Sequence, residues 1–145
     1  MQRVRYIEFS KFREERHNLS LLEEGMHIPF PIRRIFYIYD IPGGETRGGH
    51  ANRANTEVVI ALSGSFDIHL SDGRETRSFT LNRSNIGLLV PPGLWVVMDN
   101  FTTGTVVLCL CSTPYDEKDY IRDLATFQQE CACGLLNNPT PLSSR

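Results

Sequence analysis

Short apolar segments separated by turn residues constrain the fold of this chain more than any other feature. Seven segments of five to eight residues are rich in Val, Ile, Phe and Tyr, which is typical of β-strands. They are Arg33–Asp40, Glu57–Leu62, Ser65–Leu70, Thr76–Leu81, Ile86–Val90, Leu94–Met98 and Thr105–Cys111. Asp72-Gly73 stands between two alternating segments and predicts a hairpin. Strands at this spacing favour an all-β sandwich or small barrel.

The size and charge of the chain limit its organisation and its partners. At 145 residues and 41% hydrophobic, it is long enough for one core, and we assign residues 1–130 to a single domain. The formal net charge is −2 and the basic residues are scattered, so we expect no nucleic-acid partner and no membrane partner. The first residues are charged and lack the apolar core of a signal peptide. We therefore expect a cytoplasmic protein.

The C-terminal part predicts the one helical segment and a tail. Acidic residues at 116–119 are typical of a first helical turn, and the helix is expected to run in short pieces through Gln129. Residues 131–145 are rich in Pro, Ser and Asn, and we expect them to be disordered. Cys131 and Cys133 form C-x-C rather than the C-x-x-C of zinc or redox sites, which favours structural thiols.

The stretch from Gly44 to Gly64 has the spacing of the first cupin motif, G-x5-H-x-H-x4-E-x6-G, with one departure. Gly44, His50, Glu57 and Gly64 match, but Asn52 stands where the pattern has its second histidine. Because side chains two residues apart face the same side of a strand, His50 and Asn52 are expected to point together into the barrel. The motif therefore predicts an interior polar site.

The second cupin motif, G-x5-P-x-G-x2-H-x3-N, is also recognisable. Pro91, Gly93 and Asn100 match, whereas Asn85 replaces the first glycine and Val96 replaces the histidine. Two of the four customary metal ligands are therefore missing, and a histidine with a glutamate and an amide is a poor set for iron, manganese or zinc. We predict no metal and no cofactor. Two alternatives stay open: a metal-dependent oxygenase, or a merely structural core histidine.

Other residues near His50 in the predicted fold suggest a ligand class. Arginine binds diphosphate oxygens bidentately, an aromatic face stacks on a base or sugar, and histidine transfers protons near pH 7. The candidates are Arg16, His17, Arg34, Tyr37, Tyr39, Arg47 and Trp95. Together they favour a phosphorylated or nucleotide-linked sugar, with solvated surface arginines as the alternative. His69 alternates with apolar neighbours and is expected on the solvent side of its strand.

Several runs in order carry a family resemblance. RRIFYIYD, TRGGHANR, VVIALSGSFDIHLSDG, FTLNRSNIGLLVPPGLWVVM and YDEKDYIRDLATF make residues 5–128 similar to sugar-nucleotide 3,4-ketoisomerases, the WxcM-like cupins acting on dTDP-4-keto-6-deoxyglucose. The resemblance implies an antiparallel cupin (jelly-roll) barrel that works without metal. It also implies a homodimer with exchanged N-terminal strands, which serves synthesis of dTDP-3-amino-3,6-dideoxyhexoses for surface polysaccharide.

The resemblance also implies roles for individual residues. His50 is the expected base, and Tyr37 supplies or relays a proton to the substrate oxygens. Arg34 and Arg47 bind the diphosphate, with Trp95 near the ligand. Arg16 occupies a loop position that bears on the product configuration at carbon 4, next to His17.

Asn52 is the departure from this family as well, because the second histidine is expected to share the acid–base work. Asparagine hydrogen-bonds a hydroxyl but does not shuttle a proton near pH 7. Three functions therefore remain: a ketoisomerase that relies on His50, a sugar-nucleotide-binding cupin without catalysis, and a dTDP-sugar 3,5-epimerase.

Overall fold

Twelve strands form the molecule in a computed structural model, which describes residues 1–136. The strands are β1 (Arg5–Glu8), β2 (Ser10–Arg13), β3 (Asn18–Leu21), β4 (Arg34–Ile38), β5 (Arg47–Asn52), β6 (Glu57–Ser63), β7 (Phe66–Ser71), β8 (Thr76–Leu81), β9 (Ile86–Val90), β10 (Trp95–Asp99), β11 (Val106–Cys111) and β12 (Tyr120–Ile121). A short 3₁₀ helix covers Glu117–Asp119, and the helix α1 covers Leu124–Ala132. Within residues 1–136, no helix has the length and hydropathy needed to cross a membrane.

Two antiparallel sheets face each other. Their strand orders are β1-β9-β6-β11-β4 and β12-β5-β10-β7-β8, while β2 and β3 form a separate hairpin. Inward apolar side chains from both sheets make the main core, and the largest of them include Phe66, Ile68, Leu70, Leu81 and Leu88. This is the all-β jelly-roll architecture that the sequence predicts.

Two smaller clusters cover the outer faces. Ile28 and Phe30, which follow the hairpin, pack on Val58 and Ile60 of the first sheet. Phe127 of α1 packs with Ala51 and Ile121 on the second sheet. Each outer cluster fixes a strand that carries residues of the interior site, because β5 and β6 are held from outside while their other side chains point inward.

The seven predicted strands are present, with ends that differ by one or two residues. The C-terminal prediction needs correction, because residues 116–123 form a 3₁₀ turn and the strand β12 rather than helix. α1 then begins after Asp123, whose carboxylate accepts a hydrogen bond from Thr126 N. It continues to Ala132, past the predicted domain boundary at residue 130. The rest of the predicted tail, residues 137–145, lies outside the described residues.

Two motif positions have a conformational role. Gly64 adopts φ +71°, and a Cβ there would overlap the hydroxyls of Thr102 and Thr105. Asn100 adopts φ 53°, which asparagine tolerates better than most residues, directly after β10 ends. These residues therefore hold turns at the strand ends.

Candidate functional site

An open cavity of about 410 Å³ lies between the two sheets. Strands β4, β5, β6, β10 and β11 form its walls together with the segment that contains β12. Its polar lining consists of Tyr37, Tyr39, Arg47, His50, Glu57, Tyr120 and Arg122. Its apolar lining includes Phe36, Ile38, Val59, Val96, Met98 and Cys109. A site with an apolar wall and convergent polar groups is suited to a small organic ligand.

His50 projects from β5 into this cavity and is half-buried. Its ring meets Tyr120 edge to face, with 5.2 Å between the ring centroids. Burial lowers the pKa of His50 from its ordinary 6.5, and the positive charge of Arg122 lowers it further. The imidazole is therefore mostly neutral at pH 7 and able to accept a proton.

Glu57 begins β6 and also lines the cavity, although its side chain is almost fully buried. Asn55 Nδ2 donates to its Oε1 at 3.0 Å. Burial raises the pKa of Glu57 to about 7; Arg34 and Asn55 oppose that rise, and Asp119 adds to it. Both the acid and the carboxylate are consequently present near neutral pH.

Asn52 is buried and does not line the cavity. Its Nδ2 donates to Asp119 Oδ2 at 3.1 Å, and Asp119 also accepts from the backbone amides of Ala54 and Asn55. Because β12 pairs with β5 at Asn52, this network fastens the 3₁₀ turn to the sheet. The structure thus places Asn52 in a structural network, whereas the sequence placed it among the catalytic residues.

The positions of the cupin metal motifs do not form a metal-binding set. Val96 presents an apolar side chain to the cavity, and the amide of Asn52 is already bonded to Asp119. Among residues 1–136, no three or more His, Cys, Asp or Glu side chains are arranged to hold a metal ion. Two motif donors remain, His50 and Glu57, and these are fewer than iron, manganese or zinc requires.

The two arginines predicted to bind diphosphate differ in position. Arg47 lines the cavity and is exposed. Arg34 is half-buried and does not line the cavity, and its guanidinium lies 5.7 Å from the ring of Tyr115 and 6.0 Å from that of Tyr120. Its Nε is buried without a hydrogen-bond partner in the described part of the chain. Arg34 therefore contacts the aromatic residues beside the cavity, whereas Arg47 lines it.

The three predicted aromatic residues also differ in position. Tyr37 and Tyr39 border the cavity mouth, are 62% and 58% exposed, and form a tilted pair with centroids 5.6 Å apart. Trp95 packs on Phe127 of α1, with 5.5 Å between centroids, and does not line the cavity. Alternation along β10 explains this, because Val96 and Met98 point inward while Trp95 points outward.

Arg16 and His17 lie in the turn of the β2–β3 hairpin. Both are exposed, and neither lines the cavity of its own chain. The hairpin is a separate two-stranded sheet, so the fold of one chain does not bring these residues to His50.

Tyr120 and Arg122 are cavity residues that the sequence interpretation missed. The guanidinium of Arg122 lies 4.5 Å from the Tyr120 ring centroid. Two hydrogen bonds to Glu117, at 2.6 and 3.1 Å, hold Arg122 in place. The acidic run before them was interpreted as a helix start. The alternation of Tyr120 and Arg122 around an apolar Ile121 was the available signal for a strand.

Comparison with known proteins places the chain in a family. A family model described as FdtA, WxcM-like, C-terminal, matches residues 2–132. The chain belongs to the FdtA family. A curated relative, the TDP-4-oxo-6-deoxy-alpha-D-glucose-3,4-oxoisomerase of Aneurinibacillus thermoaerophilus, is 39% identical over 126 residues, which are 87% of this chain and 91% of the relative.

Solved structures agree with this FdtA-family assignment. A 3,4-ketoisomerase from Helicobacter canadensis is 39% identical with a TM-score of 0.87, over 90% of this chain and 98% of that one. QdtA, a 3,4-ketoisomerase from Thermoanaerobacterium thermosaccharolyticum, was solved as a histidine-to-asparagine mutant with TDP-4-keto-6-deoxyglucose. It is 34% identical with a TM-score of 0.88, over 92% of this chain and 96% of that one.

Proposed function

We propose that this FdtA-family protein is a TDP-4-keto-6-deoxyglucose 3,4-ketoisomerase. The observation that carries the proposal is His50, a neutral imidazole aimed into a cavity with two arginines, Arg47 and Arg122, in its lining. The names and ligands of the relatives support the choice of substrate.

The chemistry follows from the ketone on carbon 4. It acidifies the hydrogen on carbon 3, and His50 removes that proton to leave an enediol or enediolate. Return of a proton to carbon 4 moves the carbonyl to carbon 3. Tyr37, at the cavity mouth, is the proposed relay to the substrate oxygens. No step in this scheme needs a metal ion or other cofactor.

The mouth of the cavity suits the nucleotide. Arg47 provides an exposed guanidinium for the diphosphate, and Arg122 adds a second positive charge beside His50. The exposed rings of Tyr37 and Tyr39 offer surfaces for the base or sugar. In this arrangement the hexose reaches His50 while the charged diphosphate stays near solvent.

We further propose a homodimer with exchanged N-terminal strands. The β2–β3 hairpin exposes Phe12, Leu19 and Leu21 at 51%, 52% and 43%, which is typical of a surface that another copy covers. Exchange would bring Arg16 and His17 to the cavity of the partner copy, where Arg16 would influence the configuration at carbon 4. Light scattering tests the dimer, and a monomer at micromolar concentration would refute it.

The product has a ketone on carbon 3, which an aminotransferase can convert to an amine. We therefore propose that the reaction precedes the amination step that yields TDP-3-amino-3,6-dideoxyhexoses for surface polysaccharide. We also propose that it takes place in the cytoplasm.

Deuterium wash-in tests the activity. The protein is incubated with TDP-4-keto-6-deoxyglucose in deuterium oxide, and NMR follows exchange at carbons 3, 4 and 5 and the appearance of the 3-keto product. Exchange at carbon 3 with formation of that product is expected. Exchange at carbon 5 as well would favour 3,5-epimerisation. Binding of TDP without any exchange would refute catalysis and favour a sugar-nucleotide-binding cupin.

A further inference from the structure

We propose that Glu57 is a second catalytic residue, which exchanges protons with the substrate oxygens on carbons 3 and 4 while His50 acts on the carbons. The inference rests on the proposed ketoisomerase function. It answers how the reaction proceeds in a chain that has Asn52 in place of a second histidine.

The geometry of Glu57 leaves one carboxyl oxygen for a ligand. The residue lines the same cavity as His50. Its hydrogen-bond contacts, from Asn55 Nδ2 at 3.0 Å and from Cys111 Sγ at 3.9 Å, are both made by Oε1. Of the residues that the structure describes, none hydrogen-bonds Oε2. A carboxyl oxygen without a protein partner, on a residue that lines a cavity, is available to hydrogen-bond a ligand hydroxyl.

The support of Glu57 is rigid. Asn55 is fully buried, and its Oδ1 accepts from the backbone amides of Ser112 and Thr113 at 3.1 and 3.3 Å. The amide of Asn55 is thereby fixed with its Nδ2 toward Glu57. This arrangement holds the carboxyl in one orientation, as general acid–base catalysis requires.

Several charged or titratable groups surround Glu57. Arg34 on β4 favours the carboxylate, whereas Asp119 in the 3₁₀ helix favours the acid. Cys109 and Cys111 on β11, Tyr120 on β12 and His50 on β5 also face this part of the site. Burial is the largest influence and raises the pKa of Glu57 to about 7, so that the side chain both donates and accepts near neutral pH.

The proton balance closes with these two residues, without a relay through Tyr37. Neutral His50 takes the proton from carbon 3 while protonated Glu57 donates from Oε2 to the oxygen on carbon 4, which gives a neutral enediol. The Glu57 carboxylate then accepts the proton of the hydroxyl on carbon 3 as His50 returns its proton to carbon 4. The carbonyl now lies on carbon 3, and both residues have regained their starting protonation states.

Other cavity groups are less suited to this task. Burial raises the pKa of Tyr120 above its ordinary 10 and raises that of Cys109 well above 9, so both hold their protons at pH 7. Asn52 does not line the cavity, and its amide does not ionise and is bonded to Asp119. Glu57 lines the cavity and has a pKa raised to about 7, so it is able both to donate and to accept a proton at neutral pH.

The test compares Glu57→Gln with the wild type and with Glu75→Gln, an exposed control on the β7–β8 hairpin. We expect Glu57→Gln to bind TDP and to lower kcat for the 3-keto product by about 100-fold or more. We expect the kcat of the wild type to decrease above about pH 7, and this decrease should be absent in Glu57→Gln. Glu57→Asp, which keeps an ionisable carboxyl, is expected to recover part of the rate and the alkaline decrease. Glu75→Gln should match the wild type.

Two results would overturn the role of Glu57. One is a Glu57→Gln variant that binds TDP and keeps more than about one fifth of the wild-type kcat with an unchanged pH profile. The other, which needs no variant and decides the matter if Glu57→Gln does not fold, is a wild-type kcat that stays constant from about pH 6 to pH 9. Failure of the ketoisomerase function itself is distinct, because the wild type would then form no 3-keto product.

Discussion

The two faces of the sheet β12-β5-β10-β7-β8 each carry a histidine with polar partners, and they differ in enclosure. His50 points into the cavity with Glu57 and Tyr120. His69 points outward, where its two ring nitrogens lie 2.7 Å from Ser78 Oγ and 2.7 Å from Asp99 Oδ1. The outer group has the residue types of a serine, histidine and aspartate triad, yet it lies on an open sheet surface.

The two clusters differ in enclosure more than in residue type. Burial lowers the pKa of His50, which keeps its imidazole neutral, and raises the pKa of Glu57 to about 7. The outer pair is partly exposed, at 32% for His69 and 42% for Asp99, and has no surrounding wall to orient a substrate. We therefore expect the cluster at His50 to be the reactive one.

Replacing each of the two histidines tests the difference between the enclosed and the exposed cluster most directly. His50→Asn removes the base and should lower kcat about 1,000-fold, within the range for loss of a general base. His69→Asn should keep kcat within about twofold, because it removes only solvent-accessible hydrogen bonds. Steady-state kinetics with the keto sugar checks both. Similar losses in the two variants would show that enclosure is not the deciding factor.

The stability of the protein should fall as pH rises through the titration of Glu57. Its folded pKa of about 7 lies above the ordinary 4.5, so the folded state binds more protons between those values and the free energy of unfolding decreases with increasing pH. The full loss is about 3 kcal/mol at 1.4 kcal/mol per pH unit. Urea unfolding at about pH 5 and pH 8 measures it, with Glu57→Gln as reference.

Asp67 on the outer face is expected to change the free energy of unfolding with pH in the opposite direction. Hydrogen bonds from Thr80 and Asn100 lower the pKa of Asp67 below its ordinary 3.8, so its contribution is present above that pH and is lost as pH falls through the folded value. A wild type and a Glu57→Gln variant with the same pH dependence between about pH 5 and pH 8 would contradict the assignment to Glu57.

Truncation of a buried amide should cost more than truncation of an exposed hydroxyl. Asn55→Ala leaves the amides of Ser112 and Thr113 without their side-chain acceptor and should lower the free energy of unfolding by about 2–3 kcal/mol. Thr80→Ala on the outer face loses one exposed hydrogen bond to Asp67 and should cost less than about 1 kcal/mol. Denaturant titration at pH 7 compares them, and equal costs would argue against the buried network.

The smallest effect is expected for the outer ion pair. Asp99→Asn removes the charge next to His69 and should change the free energy of unfolding by less than about 0.5 kcal/mol. The same titration, repeated at high salt, checks this. A change of several kcal/mol would mean that the outer cluster is more tightly built than its exposure indicates.

Much of this fold was predictable because its strands are rich in β-branched and aromatic residues. β7 is an example, since its buried Phe66, Ile68 and Leu70 alternate with partly exposed residues. β5 is not among the seven predicted segments because Arg47–Asn52 contains two glycines and one small apolar residue, which carry no such pattern. β12 was missed because its two residues follow an acidic run that resembles a helix start.

The candidate site was predictable in part, from the spacing of the motif residues. The spacing from Gly44 to Gly64 identified His50 and Glu57 as inward residues, and both line the cavity. Spacing alone gave no indication that Glu57 would be buried beside Asp119, because those residues are far apart in sequence. It also gave no indication that Trp95 would face α1 or that Arg122 would face the cavity, since both depend on how the last elements fold back.

The sequence by itself determined the β-rich architecture, the family and the identity of the inward histidine, because local periodicity and motif spacing are properties of neighbouring residues. Only the tertiary structure decided what Asn52 does. Pairing of β12 with β5 brings Asp119 to its amide, which removes Asn52 from the cavity wall. The same packing buries Glu57 and shifts its protonation, since desolvation depends on the whole enclosure and not on any one strand.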